Sequence, residues 1–203
     1  MRFFRFPGQT SDSFEQRRRT SGRPKHWCRL IHIDPRTLEI YVTRFGRAKA
    51  GTVQDGEWDL SRLVLRQHPK IVACLAHWVD GIPWRETGII DEIASRAASL
   101  PGGFDGCRTE AEIVTRYEEL DRIFEQVQRE GRLRTSYELG RSASPQRERH
   151  GVMVHFGRTG NPIFGASGFH RLGMALSLDF DTIPACLGVR HRDTPEDILN
   201  PAR

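Results

Sequence analysis

The sequence predicts an α/β (α+β) fold: a small mixed sheet with flanking helices, with a helical insertion between its first strands and a C-terminal strand–loop–helix unit. Three observations carry this. Short apolar runs at 27–33, 38–45, 152–156 and 183–189 have strand length, and Gly, Pro or Asp residues punctuate them. From 69 to 130 the apolar residues recur at the three-and-four spacing of a helix instead. Near the end, Gly165-Ala166-Ser167-Gly168 joins a run at Pro162, Ile163 and Phe164 to an apolar helical stretch that opens Phe169-His170-Arg171.

Taken in order, residues 1–25 are rich in Arg, Ser, Thr and Gly and read as a poorly ordered basic arm, followed by a single domain over 26–203. A first strand within 27–33 is broken by Asp34-Pro35, and a second occupies 38–45. Residues 51–60 form a loop that gathers Asp55, Glu57 and Asp59 around Trp58. The helical insertion spans about 66–108. In it Ile71, Val72, Leu75, Trp78 and Val79 share one helical face, Gly81-Ile82-Pro83 ends that helix, and a second covers 86–98.

The helix at 109–130 has the plainest signals. Thr109 and Glu112 make a capping box, Ile113, Tyr117, Leu120, Phe124 and Val127 make the buried stripe, and Gly131 supplies the stop. Residues 132–150 are Arg-rich and proline-broken, which predicts a mobile loop able to close over a site. Strand, turn at Gly157 and Gly160, strand, glycine loop, helix at 170–178 and strand at 183–189 complete the chain.

Composition limits the function classes. The net charge is +5, yet residues 1–29 hold eight Arg or Lys against Asp12 and Glu15, a net of +6, so residues 30–203 sum to −1. The basicity belongs to the arm, which either contacts nucleic acid electrostatically or is simply solvated. No apolar run approaches the roughly 18 residues of a membrane helix, and no apolar segment follows Arg2 and Arg5 as in a secretory signal. Cys28, Cys74, Cys107 and Cys186 form no C-x-x-C pair, so they read as small buried apolar residues of a cytoplasmic protein rather than zinc ligands or a disulfide framework.

The glycine loop is the chemically informative piece. A strand feeding a glycine-bearing loop and then a helix leaves free backbone N–H groups converging at the positive end of the helix dipole, which suits a phosphate. His170 and Arg171 at that mouth add donors, or else they begin an exposed helix without a ligand. Ser167 is a plain N-cap or a hydroxyl for a phosphate or metal.

The C-terminal unit resembles the ParB N-terminal/sulfiredoxin-like superfamily. The resemblance lies in the helix ending at Gly131, the strand Val152–Phe156, Ile163-Phe164, the G-x-H-R motif Gly168-Phe169-His170-Arg171, Met174-Ala175-Leu176, and Ile183-Pro184. It covers about 110–191, with Ile31-His32-Ile33-Asp34-Pro35 as a fainter match to the opening strand. It implies a compact sheet whose G-x-H-R loop clasps nucleotide phosphates. Gly168 would allow close approach, and His170 and Arg171 would contact the phosphates, with Ser167 beside them.

Departures from the pattern narrow this. Sulfiredoxins place a nucleophilic cysteine before His-Arg, where this chain has Phe169; free-serine kinases place an aspartate before the glycine, where it has Ser167. Chromosome-partition proteins continue into a helix-turn-helix that the matched region does not contain. A catalytic or metal-binding carboxylate must then come from elsewhere, and Asp55, Glu57 and Asp59 are the expected source, with Asp55 and Asp59 as Mg2+ ligands. Their alternative is a solvated acidic turn. The expectation is a domain that binds the phosphates of an ATP-, ADP- or CTP-type nucleotide, with phosphoryl transfer or nucleotide hydrolysis. The alternatives are a nucleic-acid-binding ParB-like module and a metal-dependent nuclease without a helix-turn-helix.

Overall fold

The computed structural model describes residues 27–199, and within them β5 (Ile183–His191) is the strand on which the others assemble. One edge of β5 pairs antiparallel with β1 (Leu30–Ile33) and, further along, parallel with β2 (Val53–Gln54). Its other edge runs parallel to β3 (Val152–Phe156), which pairs antiparallel with β4 (Pro162–Phe164). The sheet is therefore mixed, in the order β1-β5-β3-β4. A strand paired on both edges and covered on both faces should read as a nearly unbroken apolar run, and Ile-Pro-Ala-Cys-Leu-Gly-Val does. The expected 1–25 arm lies outside the described residues.

Among the described residues four helices flank the sheet: α1 (Pro69–Trp78), α2 (Ile89–Ser99), α3 (Glu110–Glu130) and α4 (Phe169–Ser177). Val152, Val154 and Phe156 of β3 join Leu172, Met174 and Ala175 of α4 in the main core. The alternate residues point the other way, as the period of two requires. Met153 packs with Trp27, Cys28, Ala50 and Cys186, while the His155 ring meets Phe45 and Trp58 edge-on. All four cysteines are free and buried. No helix among the described residues is long and apolar enough to cross a membrane.

Local signals translate directly where they are strong. The capping box is formed in both directions, Gly131 takes the left-handed conformation at φ 64°, and Ile113, Tyr117, Leu120 and Val127 are buried. Four expectations need correction. First, residues 38–45 form no strand. Asp34 caps a 3-10 turn at Pro35–Thr37, after which the chain touches β4 and Val64 through single bridges at Tyr41 and Ile40.

Second, the 51–60 loop contains β2 and a 3-10 turn at Trp58–Leu60. Third, the α1 stripe is rotated: Ile71, Ala73 and Cys74 are buried, whereas Val72 and Val79 are 47% and 59% exposed. Packing against α4, and not apolarity alone, chose that face.

The fourth correction concerns 132–150, expected as a lid. It folds against β1: Leu30 N–H donates to the Gln146 carbonyl at 2.7 Å and Glu148 N–H to the Cys28 carbonyl at 2.9 Å. The carboxylate of Glu148, 1% exposed, accepts from Ser136 N–H at 2.6 Å and Ser136 Oγ at 2.8 Å. A buried charge must be met by hydrogen bonds, and satisfying Glu148 pins both ends of the segment.

Candidate functional site

Where β4 hands over to α4, residues 165–167 and Phe169 line a cleft of about 410 Å3. Gly168 makes the handover possible. It sits at φ 90°, and a Cβ there would come 2.9 Å from the Gly151 carbonyl oxygen and the Val152 Cα. The close approach is thus to the protein's own β3. Ala166, on the cleft wall, holds φ 51°, a conformation costly for a residue with a Cβ. The first helical bond of α4 runs from Leu172 N–H to the Gly168 carbonyl at 2.9 Å, so the N–H groups of Phe169, His170 and Arg171 have no helical acceptor.

Three cations from three parts of the chain line the same cleft: Arg47, Lys70 and Arg96. Arg47 comes from a 3-10 turn at Arg47–Lys49. Its Nη2 donates to Ser167 Oγ and to the Gly151 carbonyl, both at 2.6 Å, while its Nη1 is buried with no hydrogen-bond partner among the described residues. Lys70, at the start of α1, pairs with Asp105 at 2.8 Å, and Arg96 of α2 pairs with Glu92 at 2.7 Å. Lys70 and Arg96 both lie over the Phe104 ring, at 5.5 and 5.2 Å.

His68 and Phe169 supply an aromatic wall, their rings stacked at 3.9 Å. Burial, and then the nearby Lys70 and Arg96, bring His68 down to about 4, so it is neutral at pH 7. Its Nδ1 accepts from Lys70 N–H at 3.2 Å. The proton of the neutral ring therefore sits on Nε2, which makes His68 a donor there.

Of the residues expected to clasp a phosphate, Ser167 lines the cleft, whereas Gly168, His170 and Arg171 do not. Successive helical residues are about 100° apart, so two neighbours cannot share one direction. His170 turns toward α3, with its ring 5.6 Å from that of Tyr117, and burial pushes it well below the usual imidazole range, with Lys70 adding to this. Arg171 turns the other way: its Nη2 donates to the Arg134 carbonyl at 2.6 Å, beside Glu148. It ties the 132–150 segment to α4.

Asp55, Glu57 and Asp59 lie at the opposite end of β3 from the glycine loop. Gly168 abuts Val152, whereas Asp59 abuts Gly157 just past the strand's far end, a separation of about 17 Å at 3.3 Å per residue. Asp59 is buried and accepts from Arg158 N–H and Nε at 2.9 Å and from Nη2 at 2.8 Å. Those bonds lower its carboxyl to about 2. Asp55 pairs with Arg192 at 2.7 Å, and Glu57 is exposed. Asp59 thus joins the 55–60 turn to the β3–β4 turn, and none of the three acids lines the cleft. No group of three or more His, Cys, Asp or Glu among the described residues is placed to hold a metal ion.

Arg47, His68, Lys70, Glu92 and Arg96 were invisible to sequence reasoning. No motif spacing joins them, because they meet only when the insertion folds over the sheet. Comparison with family models, with curated proteins and with solved structures finds no match to this chain.

Proposed function

We propose that the cleft beside the glycine loop binds the phosphate groups of a nucleotide of the ATP, ADP or CTP type. The observation that carries this is Arg47: a guanidinium fixed at two points, with one buried nitrogen unpaired, beside Lys70, Arg96 and the open N-terminus of α4. A planar guanidinium is the side chain best suited to phosphate oxygens. The aromatic surface of Phe169 and His68 gives a base something to stack on, and the cavity falls within the roughly 300–1,000 Å3 of small-molecule sites. Further support comes from the resemblance of the G-x-H-R unit to the ParB/sulfiredoxin-like superfamily. In this reading the residues of the loop before the motif and the start of α4 face the phosphates, and Arg47 and Lys70 replace His170 and Arg171 as the contacts. Phosphoryl transfer or hydrolysis is the activity such a site would support.

The test is a thermal unfolding series with ATP, ADP, CTP and GTP, with and without Mg2+. Ligand at 100 times its Kd stabilises the parent by about 2.7 kcal/mol. Arg47→Gln loses that shift, and Arg96→Gln at the rim weakens it. A parent whose unfolding temperature no nucleotide moves overturns the reading.

A second reading, a nucleic-acid-binding module, is favoured by one feature. The Arg147 and Arg149 guanidinium groups lie 5.9 and 5.7 Å from the Trp27 ring, which puts basic side chains beside the start of the described fold. Under this reading, deleting residues 1–26 flattens the salt dependence of DNA or RNA binding. Unchanged binding removes the arm from the interface.

A further inference from the structure

Two of the four cysteines meet. Cys28 and Cys186, both 0% exposed, share a small core cluster with Trp27, Ala50 and Met153, apart from the main core that takes Cys74 and Cys107. Cys186 stands opposite Leu30 across the β1–β5 pairing, and Cys28 lies two residues before Leu30. A hydrogen bond joins the two thiols. A disulfide brings its sulfurs to about 2.05 Å, so a hydrogen-bonded pair has little distance to close. Cys28 also holds φ 49°, a left-handed conformation costly for a residue with a Cβ and concentrated at functional positions.

Their surroundings make the two sulfurs unequal. The bond with Cys186 draws the Cys28 thiol below its usual range against the opposing effect of burial, and Arg47, Arg149 and Arg147 add to the lowering. The same bond and burial push Cys186 up. The thiolate is the nucleophile, so Cys28 is the attacking sulfur and Cys186 the resolving one. Burial raises the other two thiols, Cys74 to about 12. Met153 belongs both to this cluster and to the cleft wall, so a small neutral oxidant in the cleft is separated from the pair by one flexible side chain.

We propose that Cys28 and Cys186 are a redox-modification site that closes to a disulfide on exposure to hydrogen peroxide. The Cys28 thiolate attacks a peroxide oxygen; an S–O bond forms, the O–O bond breaks, and the departing hydroxide takes a proton to become water. Cys186 then attacks the sulfur of the Cys28 sulfenic acid. The S–S bond forms, the S–O bond breaks, and the leaving hydroxide carries off the Cys186 proton as a second water. Two thiols are oxidised by two electrons and one peroxide is reduced. The chemistry needs no nucleotide in the cleft.

The reduced full chain is treated with hydrogen peroxide, and its free thiols are counted after denaturation and alkylation. The parent loses two of its four thiols, becomes two hydrogens lighter, and yields one peptide pair joined through Cys28 and Cys186. Dithiothreitol restores all four. In Cys186→Ser the reaction stops at Cys28, whose sulfenic acid is captured by dimedone; in Cys28→Ser dimedone captures nothing at Cys186. A parent that keeps four thiols, or whose crosslink runs through Cys74 or Cys107, overturns the inference. Capture at Cys186 in C28S overturns it as well. The parent's own peptide map decides even where a serine variant does not fold.

Discussion

Arg47 and Ser167, 120 positions apart, share a 2.6 Å hydrogen bond that ties the 3-10 turn after β1 to the loop before α4. The bond fixes the guanidinium plane and so the direction of its unpaired nitrogen. Arg47→Lys keeps the charge but cannot serve Ser167, the Gly151 carbonyl and a ligand together. Nucleotide affinity falls about tenfold, a loss of about 1.4 kcal/mol. Calorimetry reads this directly, and a lysine variant of parental affinity would show that charge alone matters.

Arg171→Ala separates the two sides of the G-x-H-R motif. Arg171 is half-buried, bonded to the Arg134 carbonyl and close to the buried Glu148. Its removal takes a cation from beside that carboxylate and breaks the bond to Arg134, and should cost about 1.5–3 kcal/mol of stability. Limited proteolysis within 132–150 accelerates, while nucleotide affinity of the folded protein changes less than in Arg47→Gln. Parental stability with lost affinity would put Arg171 back at the phosphate.

Acid should destabilise the fold in a defined window. His155, 0% exposed, accepts from Val189 N–H at 2.9 Å, and burial lowers it from 6.5 to about 4; His68 is lowered to about 4 as well. Between about 6.5 and 4 the unfolded chain binds more protons than the folded one, so stability falls as pH falls through that range. Asp59, lowered to about 2, adds a further loss below 3.8. Urea unfolding from pH 7 to pH 4 measures the slope, and His155→Gln flattens it. A parent whose stability is level across the window contradicts the buried neutral imidazoles.

Gly173 reverses the usual effect of alanine in a helix. In an open helix, Gly→Ala gains about 1 kcal/mol. Here the added Cβ would lie 2.7 Å from both Cβ and Sγ of Cys74, where α4 crosses α1. Overpacking of that kind costs about 1–3 kcal/mol and prevails over the propensity. Gly173→Ala therefore unfolds at lower urea than the parent, and a stabilised variant would mean the helices part without cost.

What could be read from residue order was local. The Thr109–Glu112 box, the Gly131 stop and the loop 165–168 leading into α4 each depend on hydrogen bonds or φ preferences within a few positions. Direction across the molecule was not legible. Asp121 shows this: it accepts from the indole N–H groups of Trp78 and Trp84, each at 3.0 Å, and lies 3.1 Å from His77 Nε2, a convergence that no spacing announces. The acids at 55–59 misled for the same reason. They cluster in sequence, but their turn packs beside Gly157 and none of them lines the cleft.

Residue order alone accounts for the mixed strand–helix pattern, the boundaries of α3 and the glycine loop that opens α4, because periodicity, caps and turns act over a few residues. Folding chose which charges face the cleft, turned Arg171 toward Arg134 and brought Arg47, Lys70 and Arg96 together around it. Those outcomes depend on how remote elements pack, and packing is a property of shape and burial that composition and spacing do not carry.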